Sequence, residues 1–124
     1  MPLDWKISHA DRLVTVTAEG TVTLKDAEAY LDAVVVADAM PYAKLVDCSG
    51  MFTEATDEEM MLLGARMRAY ADVLSHGPLA FVVTQPGVRD YVLRYINLAT
   101  GATRPMEIFE SVSAARRWLD ARKA

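Results

Sequence analysis

With a single cysteine, Cys48, the chain has no internal disulfide to form. A lone cysteine in or just past an apolar strand is expected to pack as a small hydrophobe rather than react. The only histidines, His9 and His76, have no partners at ligand spacing, so no metal site and no cofactor is expected. Gly50, Gly64 and Gly87 stand alone, which leaves no glycine-rich phosphate loop, and Ser49-Gly50 lacks the flanking glycine of a nucleophile elbow. Basic residues are also short: 13 Lys and Arg face 17 Asp and Glu, and this net charge of −4 argues against a nucleic-acid footprint. No apolar run approaches the roughly 20 residues that span a bilayer. Met1-Pro2-Leu3-Asp4 carries neither the basic nor the apolar region of a secretory signal, so a cytoplasmic location is expected.

What is present reads as a globular α/β chain. A 52% hydrophobic content over 124 residues suits one domain spanning 1–124, a length at which roughly two-thirds of the unfolded surface is buried. Trp5–His9 and Leu13–Glu19 alternate apolar with polar residues across an Ala10-Asp11 turn and predict an antiparallel hairpin. Thr23-Leu24-Lys25-Asp26 predicts a capped helix running to about Ala39, with Pro41 as its stop. A third strand holds Leu45-Val46 and ends at Asp47, with Ser49-Gly50 as a turn and Met51 and Phe52 in the loop beyond. Thr56-Asp57-Glu58-Glu59 is a capping box for a second helix lasting to about Leu74. Leu79–Val83 is continuously apolar, as a central strand buried on both faces should be. A third helix covers Val88–Ala99 and stops at Gly101; Met106–Phe109 is a short last strand, and Ser111 caps a last helix. The order ββαβαβαβα calls for a five-stranded mixed sheet with four main helices, its later strands parallel and joined by right-handed crossovers.

Across almost its whole length the chain resembles the SpoIIAA-like proteins, relatives of the STAS anti-sigma-factor antagonists and of the CRAL-TRIO lipid-carrier fold. The resemblance is carried by the N-terminal hairpin, GTVT, PYAKLVDCSG, the TxEE helix start, GPLAFVV and PMEIFESVSAARRWL. It implies a (βα)n right-handed superhelix with strands laid down in sequential order. STAS regulators carry a phosphorylatable serine at the start of a helix, preceded by an aspartate. Here Thr56 and Ala55 stand at those positions, so Thr56 is the candidate regulatory residue and the phospho-switch has lost its aspartate. Thr56 with Glu59 is explained as a cap, and Asp57, Glu58 and Glu59 would repel a phosphate.

The helices carry more large apolar residues than one sheet face can bury. Met60-Met61-Leu62-Leu63 spreads four side chains at about 100° intervals, and Val34–Val36 and Tyr91–Leu98 do the same. Such surplus marks a ligand groove or a partner surface. The first expectation is a non-enzymatic carrier or sensor of a small apolar, lipid-like ligand between the second and third helices. Its candidate contacts are Met51, Phe52, Met60, Leu63, Met67, Tyr91, Tyr95 and Arg89, the last a cation opposing the dipole of its helix's first turn. Arg66, Arg68, Arg94 and Arg104 are further cations beside such a groove. The alternative is a STAS-type protein-interaction module, with a homodimer through the same apolar surface as the expected assembly.

Overall fold

Leu3, Trp5 and Ile7 alternate along the first strand and pair with Ala18, Val16 and Val14 of the second, which gives the hairpin one apolar face. The computed structural model describes residues 2–98 and 104–122. Its elements run β1 (Leu3–Ser8), β2 (Leu13–Thr21), α1 (Leu24–Val36), β3 (Ala43–Phe52), α2 (Asp57–Ala71), β4 (Leu79–Val82), α3 (Pro86–Leu98), β5 (Met106–Phe109) and α4 (Val112–Asp120). The five strands lie in the order β1-β2-β3-β4-β5, the first pair antiparallel and the others parallel. Because every crossover steps the same way across the sheet, right-handedness sends α1, α2 and α3 to one face.

Strand parity then sorts the core. Val14, Val16, Lys44, Val46, Leu79, Phe81 and Met106 share the face under the three crossover helices, while Leu13, Leu45, Ala80, Val82 and Phe109 share the other. Helix α4 covers that second face with Ala115 and Leu119, and Trp118 lies 5.6 Å from the Phe109 ring. The first face is packed in two clusters: Val14, Val16, Val34 and Met40 beneath α1, and Cys48, Phe81, Val88 and Val92 beneath α3. No helix among the described residues is long and apolar enough to cross a membrane.

Helix termini follow local chemistry. Thr23 accepts from the Asp26 N–H while Asp26 receives the Thr23 N–H, and Thr56 and Glu59 repeat the arrangement for α2. Helix α1 ends at Val36 rather than at Ala39. Asp38 takes a left-handed φ of 55°, and the N–H groups of Asp38 and Ala39 return to the carbonyls of Val35 and Val34, a Schellman closure. Helix α2 likewise ends at Ala71, three residues short of Leu74, with the N–H groups of Val73 and Leu74 both turned back to the Tyr70 carbonyl.

Strand β3 departs most from expectation. It runs through Asp47, Ser49 and Gly50 to Phe52, so Met51 and Phe52 belong to a strand and not to a loop. Between Thr17 and Glu19 of β2, β3 advances from Asp47 to Gly50, one residue more than its partner. This bulge is held by Asp47, whose Oδ1 accepts from both the N–H (3.0 Å) and the hydroxyl (2.6 Å) of Ser49. The extra residue shifts the alternation, so that Met51 joins Lys44, Val46 and Cys48 on the helix-covered face. Ala99 and Gly101, the expected end of the third helix, lie outside the described residues.

Candidate functional site

Between the sheet and the three crossover helices lies a cavity of about 190 Å³. Its floor is Val16, Lys44, Val46, Cys48, Met51, Leu79 and Phe81 of the sheet; its walls are Ala27, Tyr30 and Leu31 of α1, Met60 and Leu63 of α2, and Tyr91, Val92 and Tyr95 of α3. Arg104, just before β5, also reaches it. The helices are braced around it. Arg66 of α2 donates to Glu28 and Asp32 of α1 and to the Tyr70 hydroxyl, and Arg94 of α3 donates to Asp57 of α2. Gly64 of α2 lets Leu98 of α3 approach, since a Cβ there would lie 3.1 Å from the Leu98 carbonyl oxygen.

Of the residues singled out in the sequence, Met51, Met60, Leu63, Tyr91 and Tyr95 line this cavity. Phe52, Met67 and Arg89 do not. Phe52 points outward at the end of β3 and is 54% exposed, Met67 is fully buried in α2, and Arg89 sits on the exposed side of α3. The cavity lies beneath all three crossover helices rather than between α2 and α3 alone. Thr56 is exposed at the N-terminus of α2, its hydroxyl and N–H both occupied by Glu59.

The polar residues of the cavity are ones the sequence did not point to as a group. Lys44 is 2% exposed, and its Nζ donates to the carbonyls of Ala39 (3.1 Å), Met40 (2.5 Å) and Tyr42 (2.6 Å). Burial pushes its ammonium down to about 7, and the charge of Arg104 acts in the same direction. Parity alone flags it, because a lysine in step with Val46 and Cys48 must face a covered side. Tyr30 and Tyr95 are held above the usual phenol range by burial, against the lowering influence of Arg104. The Tyr30 hydroxyl and the Nε and Nη1 of Arg104 are buried without a hydrogen-bond partner. Cys48 is inert here: burial, with the Asp47 charge in support, pushes its thiol up to about 12. Among the described residues no cluster of three or more His, Cys, Asp or Glu is placed to hold a metal ion.

A second feature is on the outside. Met61 and Leu62, neighbours on α2, are 57% and 58% exposed, while Phe52, next to the cavity-lining Met51 on β3, is exposed on the other face of the sheet. Glu54, Asp57 and Glu58, at and just before the start of α2, are exposed as well, Asp57 in its ion pair with Arg94. Val36, Val73 and Leu74 are exposed at the opposite ends of α1 and α2.

The architecture recurs in solved structures. An uncharacterised DUF3478-family protein with a SpoIIAA-like fold from Shewanella loihica PV-4 superposes with a TM-score of 0.60 at 18% identity, over 94% of this chain and 91% of its own. An anti-sigma factor antagonist from Mycobacterium paratuberculosis does so with a TM-score of 0.60 at 16% identity, over 95% and 94%. No family model and no curated protein matches the sequence. The chain thus has the SpoIIAA-like fold: a five-stranded mixed sheet under three crossover helices, backed by a fourth.

Proposed function

We propose that this chain is a non-enzymatic regulatory domain that works by docking a protein partner, in the manner of an anti-sigma-factor antagonist, through the start of α2. The carrying observation is the exposed apolar pair Met61 and Leu62 in the second turn of α2, with the exposed acids Glu54, Asp57 and Glu58 at and just before the start of that helix. Large exposed apolar side chains on a helix that opens with carboxylates suit a partner with an apolar centre and basic residues beside it. The similarity in fold to an anti-sigma factor antagonist supports the same kind of work. Thr56 serves as a cap in this reading, its hydroxyl tied to Glu59 and surrounded by carboxylates that oppose a phosphate.

Native mass spectrometry of tagged chain purified from its own cells tests this. The parent should carry a stoichiometric protein partner, and Leu62→Glu should lose it while unfolding within about 0.5 kcal/mol of the parent. A parent with no other protein bound would overturn the proposal. A second reading, a carrier of a small apolar ligand, is favoured by the cavity beneath α1, α2 and α3.

A further inference from the structure

The cavity combines an apolar wall with the guanidinium of Arg104, which is hydrogen-bonded to the Tyr95 hydroxyl but has no carboxylate partner among the described residues. The Nε and Nη1 of Arg104 are buried without hydrogen-bond partners, and so is the Tyr30 hydroxyl. Unpaired buried donors of this kind are costly, and a guanidinium among apolar walls calls for an anion. No carboxylate among the described residues supplies one. Among the described residues Glu28 and Asp32 pair with Arg66, and Asp57 pairs with Arg94. Glu59, the only acid on the described wall, is engaged by the Thr56 N–H at 3.0 Å in the α2 cap. Lys44 adds positive field, but its three N–H donors are taken by three carbonyls, so it offers no hydrogen bond of its own. The buried phenols of Tyr30 and Tyr95 remain protonated and able to donate.

We propose that this cavity binds a small apolar carboxylate, its carboxylate taken by the unpaired N–H groups of Arg104 and the Tyr30 hydroxyl, its tail lying against Met51, Met60, Leu63 and Phe81. The proposal rests on the ligand-carrier reading and is independent of the docking surface. Size limits the tail: an apolar cavity of about 150 Å³ accepts benzene, so one of about 190 Å³ suits a chain of roughly eight carbons or a single ring.

Titration calorimetry on the whole chain with octanoate, 1-octanol and acetate separates head from tail. Octanoate should bind one to one and about tenfold or more tighter than 1-octanol, because only the carboxylate engages the guanidinium, and acetate should bind far more weakly than octanoate. Arg104→Gln should lose that advantage while still binding 1-octanol, and Tyr30→Phe, which removes one hydroxyl, should weaken octanoate several-fold with the fold intact by circular dichroism. If 1-octanol binds as tightly as octanoate, or Arg104→Gln binds octanoate like the parent, the carboxylate assignment fails and the carrier reading survives. Acetate matching octanoate would reduce the site to a bare anion hole and overturn the proposal. If neither octanoate nor 1-octanol binds the parent, the carrier reading falls with it.

Discussion

Replacing Lys44 with methionine keeps the length of the side chain and removes its charge. In the folded chain Lys44 holds its proton only up to about 7, mainly because it is buried and secondarily because Arg104 is near. Unfolded, it holds the proton to about the ordinary lysine value of 10.5. Between these values the unfolded state binds more protons, so stability must rise with pH. From pH 7 to 9 the rise attributable to Lys44 is about 2 kcal/mol. Two effects trim it. The three carbonyls around Nζ favour the ammonium. Cys48, pushed up to about 12 in the fold, works the other way, since the unfolded thiol loses its proton first and stability begins to fall as pH rises toward 9. Urea unfolding of the parent at pH 7, 8 and 9 should therefore show increasing stability, whereas Lys44→Met should be flat or decline slightly. At pH 7 the variant gains from no longer burying a charge and loses the donor of the Tyr42 carbonyl, the latter costing about 1–3 kcal/mol. A parent whose stability is level or falling over this range, or a variant with the parent's slope, would refute the reasoning.

Gly77→Ala should destabilise the chain by more than about 3 kcal/mol in the same assay, because a Cβ there would lie 2.1 Å from the Tyr42 carbonyl oxygen and 2.4 Å from that of Pro41, and backbone cannot step aside. Asp38→Gly should stabilise it by about 0.5–1 kcal/mol by relieving the left-handed φ at the end of α1, read as a raised Tm. Thr56→Ala should cost about 1 kcal/mol through loss of the α2 cap, with Thr56→Ser nearly neutral, as measured by urea unfolding.

The parts of the fold legible in the sequence are those set by neighbours along the chain. The capping boxes of Thr23 with Asp26 and Thr56 with Glu59 span three residues, and each marks its helix start. Apolar continuity at Leu79–Val82 and the Ser111 cap are equally local. The course of β3 is not legible locally, because Ser49-Gly50 is a good turn in isolation and only pairing with Glu19 and Gly20 of β2 makes it a bulge. The Schellman closure at Asp38 was missed because aspartate pays for the left-handed φ that glycine would have signalled. Met60 and Met61 are neighbours in sequence, yet one faces the cavity and the other solvent, as a rotation of about 100° per residue requires. The polar end of the cavity was the least legible feature. Tyr30, Lys44 and Arg104 come from a helix, a strand and a loop far apart in sequence, and a single arginine before a strand looks like any solvated charge.

Photo-crosslinking in living cells bears most directly on the docking proposal. A photoreactive residue placed at Leu62, on the exposed side of α2, is compared with one at Arg116, exposed on α4 against the opposite face of the sheet. The account predicts a discrete crosslinked band of another protein from position 62 that is absent from position 116 and suppressed when Met61 is changed to Asp in the same chain. No band from position 62, or equal bands from both positions, would contradict it.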